Sequence, residues 1–162
     1  MRLHCRSAPA RGLRRYVRLV ALALGENVGR SMVSWEHPVD AYLTLHERLR
    51  WFPDRDVALG WNADQGWTMF LTAHTRGCRT VLRFLGDDLL PAPAAVATFS
   101  ARVFHDEFAG QAEPPPERTA ADDRELTLRL AAYAVPCHGH RGSPSLHRVH
   151  LHGVITSWHD HA

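Results

Sequence analysis

Apolar positions recur along the chain with two periods, and the switches between them divide it into elements. Over residues 13–24 they fall at Leu13, Tyr16, Val17, Val20 and Leu24, a spacing of three, four and seven that puts them on one face of a helix. Arg14, Arg15 and Arg18 lie off that face, and Gly25 followed by Asn27 supplies a stop. The period then shortens to two. Over residues 41–46, Leu43 and Leu45 alternate with Tyr42 and Thr44; further on, Val57, Leu59 and Trp61 alternate with Ala58 and Gly60. Trp67, Met69 and Leu71 then alternate with Thr68, Phe70 and Thr72. Such alternation marks half-buried strands. Between the last two stand Asn62, Ala63, Asp64, Gln65 and Gly66: Asn and Asp form local turns, and Gly66 can take a positive φ. The pair therefore predicts a hairpin, with Trp61 and Trp67 close across it. Residues 79–85 are the next strand, ended by Gly86, Asp87 and Asp88.

The helical period returns after Leu90-Pro91-Ala92-Pro93. Pro93 suits a first helical turn, where its missing N–H costs little. Val96, Phe99, Val103 and Phe104 form the buried stripe, and Gly110 is a natural stop. Pro114-Pro115-Pro116 makes residues 111–118 a stiff linker and a domain boundary. Thr119 with Asp122 three residues on resembles a capping box, opening a third helix over 119–135 with Leu126, Leu130 and Tyr133 or Ala134 on one side. Pro136 ends it. The expected fold is α+β: a small antiparallel sheet of three to five strands flanked by N- and C-terminal helices, plus an extra helix and an irregular His-rich tail. The expected organisation is a disordered segment over 1–12, the α+β domain over 13–110, the linker, the helix, and the tail over 136–162.

A set of short motifs runs in order through the middle of the chain. These are Tyr16-Val17-Arg18 through Ala23-Leu24-Gly25, then Ala41-Tyr42-Leu43, then the run from Pro53-Asp54-Arg55-Asp56 to Gly60-Trp61. Gly66-Trp67 follows, and then the run from Phe84-Leu85-Gly86-Asp87-Asp88 to Pro91-Ala92-Pro93 with Val96 and Phe99. On these residues the chain resembles a family of uncharacterised actinomycete proteins known only as a domain of unknown function, over about residues 13–108 and not the tail. The resemblance implies a domain and assigns no activity, cofactor or site.

Composition narrows the function classes. A formal net charge of +2 supplies no strong global field toward nucleic acid or membrane. Every non-histidine base is Arg; without Lys there is neither a Schiff-base amine nor a phosphate-loop lysine. Cys5, Cys78 and Cys137 are odd in number and far apart, which fits a reducing cytoplasm rather than a disulfide framework. No apolar run approaches the roughly 20 residues of a membrane span. Arg18 cuts the first apolar stretch short of a secretory core, so the segment reads as a cytoplasmic amphipathic helix.

Three groups of residues carry candidate chemistry. The tail holds His138 with His140, His150 with His152, and His159 with His161. On an extended strand residues i and i+2 share a side, so such a pair can share a metal, zinc or nickel, with Cys137 able to add a thiolate. His150 and His152 are the best placed of them, and a poorly ordered His-rich tail without a dedicated metal is the plainer reading. Arg14, Arg15 and Arg18, with Arg11, could face phosphates of a nucleic acid or another ligand; a solvated helix face is the plainer alternative. Among the tryptophans, Trp61 and Trp67 read as packing, whereas Trp35, Trp51 and Phe52 read as exposed contacts for a partner. Adjacent acids such as Asp87-Asp88 sit where turns are needed, and no nucleophile elbow or Gly-rich phosphate loop occurs. The expectation is a non-catalytic cytoplasmic binding or adaptor domain, with no required cofactor. It would offer a sheet face or edge strand to another protein or to a second copy of itself. A metal-binding protein and a phosphate- or nucleic-acid-binding accessory protein are the alternatives.

Overall fold

A computed structural model of the chain describes residues 6–34, 39–72, 79–86, 88–105, 109–116 and 119–134. Helix α1 (Ala8–Leu24) leads through a short 3-10 turn (Gly25–Asn27) into strand β1 (Val28–Ser34). Strands β2 (Asp40–Leu45), β3 (Asp56–Asn62), β4 (Gly66–Thr72) and β5 (Arg79–Phe84) follow, then helices α2 (Pro93–Phe104) and α3 (Ala120–Ala134). The strands form one antiparallel sheet in chain order, β1-β2-β3-β4-β5. The α+β expectation holds, with five strands.

The hairpin is where the turn chemistry puts it. Trp61 pairs with Trp67 and Asn62 with Gly66, whose φ is 67°. The Asn62 carboxamide oxygen accepts from the backbone N–H groups of Asp64 and Gln65 at 2.9 and 2.7 Å, the local turn expected of Asn. The alternation is also as read: Leu43, Leu45, Val57, Leu59, Trp61, Trp67, Met69 and Leu71 all enter one core cluster.

Four features depart from the sequence expectation. Helix α1 begins at Ala8, inside the segment read as a lead-in over 1–12. The Ser7 side chain accepts from the Ala10 N–H, Pro9 stands in the first turn, and Ala10 and Gly12 are buried. The expected boundary at 111–118 does not divide the core either. Leu126 and Leu130 of α3 lie in the same cluster as the sheet, and α3 packs directly on α1. A Cβ on Gly12 would come within 1.6 Å of the Leu130 carbonyl oxygen, so the contact needs a glycine. Strand β1 is an addition; its exposed, irregular sequence and the register shift between Val28 and Ser31 hide the alternation. Helix α2 stops at Phe104, and Gly110 instead lets the chain pass the Phe84 carbonyl oxygen as Gln111 pairs with Phe84. The capping box of α3 is formed: the Thr119 N–H donates to Asp122 at 2.7 Å, and the Asp122 N–H to the Thr119 hydroxyl at 3.4 Å.

Inside, three polar groups of the core converge on the segment before α2. The Trp67 indole N–H donates to the Tyr16 hydroxyl at 2.9 Å, which donates to the Pro91 carbonyl at 2.8 Å. The Trp61 indole N–H donates to the Leu89 carbonyl at 2.6 Å. Burial pushes the Tyr16 hydroxyl well above the usual tyrosine range, outweighing the hydrogen bond from Trp67. From α3, Arg129 donates to the Leu90 carbonyl and pairs with Asp88, which ties the last helix to the same segment.

Candidate functional site

Alternation that sends one set of side chains into the core must send the other set to the opposite face of the sheet. Here that set is mixed: Asp40, Thr44, Asn62 and Thr72 are the polar residues a solvated face calls for, but an apolar band crosses between them. Met32 of β1 pairs with Tyr42 of β2, which pairs with Gly60 of β3 and through it with Thr68 of β4. One step along, Ala58 pairs with Phe70, and Phe70 with Val81 of β5. None of these residues belongs to the core cluster formed by the helices and the inner face. Met32 is 57% and Val81 48% exposed, large apolar side chains standing at the two edges of the face.

Gly60 shapes the centre. The Phe70 ring lies over it, where a Cβ would come within 2.7 Å of the ring, and packs beside Tyr42 with centroids 5.7 Å apart. The exposed Arg79 holds its guanidinium 5.1 Å from the Phe70 centroid and 5.5 Å from that of Tyr42. This is cation–π distance to both rings at once. Together with Asp40, Asn62, Gln65 and Thr68 these residues line a cavity of about 400 Å³, within the size range of ligand sites. Thr68 is 7% exposed, and its hydroxyl has no hydrogen-bond partner among the described residues. A buried polar group left so costs about 1–3 kcal/mol. The face thus gathers two rings, a thioether, an aliphatic side chain, a stacked cation and a hydroxyl unmet among the described residues.

The residues singled out from sequence lie elsewhere. Trp51 and Phe52 are exposed, at 68% and 45%, in the connection between β2 and β3. The Arg50 guanidinium lies 5.6 Å from the Trp51 ring. Trp35 lies outside the described residues, as do His138, His140, His150 and His152. Arg14 and Arg18 project from α1 into solvent and Arg15 is half-buried; Arg14 and Arg15 both engage other groups. Trp61 and Trp67 are core residues, 1% and 0% exposed. The outer face was signalled in the sequence by aromatic residues at the positions of β2 and β4 that alternate away from the core. Among the described residues, no three His, Cys, Asp or Glu side chains gather as a metal site. No helix among them is long and apolar enough to cross a membrane.

No curated protein and no solved structure matches the chain. A family model does, over residues 16–102, from the middle of α1 to near the end of α2 and so across the whole sheet. The chain thus belongs to the Family of unknown function (DUF6292).

Proposed function

We propose that the protein is a non-catalytic binding domain whose recognition surface is the outer face of its sheet. The observation that carries this reading is the Tyr42–Phe70–Arg79 stack flanked by the exposed Met32 and Val81. A face serving only solubility would carry polar side chains at these positions. The inner face and the helices supply the rigid support, so the outer side chains are held in place before any partner arrives.

The test compares three forms of the intact chain: wild type, Met32→Glu with Val81→Glu, and Leu128→Glu. Leu128 is a control, 72% exposed on α3 and away from the sheet face. Each is immobilised and exposed to a lysate of its own cells, after circular dichroism has shown equal folding. The proposal expects proteins held by wild type and by the Leu128→Glu form to be lost from the double variant. Equal retention by all three would remove the outer face from consideration.

A further inference from the structure

We infer that the outer face binds a polypeptide segment that sets one carboxylate side chain among apolar ones, the carboxylate on Arg79. The inference rests on the binding reading above and adds the chemistry of the partner. Arg79 is the first observation. Its guanidinium is stacked on Phe70 and Tyr42, and among the described residues no carboxylate pairs with it. Stacking occupies the faces of a guanidinium and leaves its N–H edges free for a planar acceptor. A carboxylate meets those edges with two parallel hydrogen bonds. The Thr68 hydroxyl is the second observation: it lines the same cavity, is more than nine-tenths buried, and has no partner of its own among the described residues.

The extent of the apolar surface decides between a small carboxylate and a polypeptide. Met32 is on β1 and Val81 on β5, the two edges of the sheet. Four strand spacings separate them, about 19 Å. That span exceeds a single side chain or a small acid and matches roughly six extended residues. Charge gives the segment a polarity: Arg79 calls for an acid at one part of the face, while Asp40, lining another part, disfavours a second acid there.

A phage-displayed library of random dodecapeptides, panned against the intact chain, tests this. The expected result is enrichment of peptides with Asp or Glu flanked by apolar residues. A synthetic consensus peptide should bind in titration calorimetry. Arg79→Glu should weaken it on the order of tenfold or more, and changing the peptide's acid to Lys should restore binding to that variant. Enriched peptides with no acidic preference, or an affinity unmoved by Arg79→Glu, would overturn the inference. Among those peptides, loss of binding to the Met32→Glu, Val81→Glu double variant would leave the outer face as a binding surface. Retention would sink both ideas. Failure to enrich any peptide also overturns the inference. Sedimentation then separates the readings: a dimer dispersed by the double variant makes a second copy the occupant, and a monomer leaves neither reading.

Discussion

On the inner face of the sheet, Leu43, Leu59, Trp61, Trp67 and Met69 are sealed under the helices, each 0–1% exposed. One residue along the same strands, Tyr42, Gly60, Thr68 and Phe70 face the other way and lie outside that core cluster. The two sets differ at their margins, where the outer one leaves Met32 and Val81 exposed, and in the cation that the outer one carries. Inside, the indole N–H groups of both tryptophans and the Tyr16 hydroxyl find partners, while the buried Ser100 hydroxyl of α2 has none among the described residues. Outside, the Thr68 hydroxyl has none among the described residues and Arg79 rests on rings rather than on an acid. The inner face is closed over by the helices. The outer face leaves Met32 and Val81 about half in solvent around the buried Phe70, with the Thr68 hydroxyl unmet among the described residues.

If this contrast is right, stability should reside on the inner face. Trp67→Ala is expected to cost most, about 3–5 kcal/mol, because it empties a fully enclosed site. Urea denaturation measures it, and a loss below about 0.5 kcal/mol, the size of an ordinary surface change, would mean the inner face is not the core. Tyr16→Phe comes next. It keeps the ring but strands the Trp67 N–H and the Pro91 carbonyl, at about 1–3 kcal/mol for each group left unpaired.

The same hydroxyl gives a pH signature. Its folded-state pKa is raised, so the unfolded chain releases the proton first. The stability it contributes is intact below the usual tyrosine value of about 10 and is lost as pH climbs above it. Wild-type stability should therefore fall in that window by more than that of Tyr16→Phe. Parallel pH curves would show that Tyr16 is not held protonated by the fold.

The outer face sharpens the contrast through two smaller effects. Thr68→Val preserves shape and removes the unmet hydroxyl, so the free protein should gain about 1 kcal/mol, read as a higher melting temperature. A loss would mean that the hydroxyl is already satisfied. Met32→Glu with Val81→Glu should leave stability within about 0.5 kcal/mol, since both side chains stand about half in solvent at the sheet edges. A larger loss would mean that the outer face is already packed.

Much of this fold could be read from the chain because its signals are local. The 61–67 hairpin follows from Asn62, Asp64 and Gly66; the cap of α3 follows from Thr119 and Asp122; the end of α1 follows from Gly25. Where the signal was weak, the reading fell short. Strand β1 carries Gly29 and a run of exposed residues, so it shows no clean period. The Pro-rich stretch has the composition of a boundary, and nothing local announces that Gly12 clears a path for α3 to lie against α1. For the candidate site, sequence alone points to the exposed aromatics Trp51 and Phe52 of the β2–β3 connection. The face that gathers rings and a cation is made instead from strand positions where Tyr42 and Phe70 take the place of polar residues.

Periodicity, turn residues and caps depend on backbone geometry that is the same in any chain. By themselves they determined three helical stripes, four of the strands, the facing of the side chains in the 41–46, 57–61 and 67–72 strands, and the α+β class. Which face of the sheet would be covered was decided only by the tertiary structure. That depends on where three helices distant in sequence find room to pack, and their joint burial of Leu13, Val96 and Leu126 with the inner strands puts them all on one side of the sheet among the described residues. Tyr42, Phe70 and Arg79 come from three different strands; only the register of the completed sheet makes them one surface.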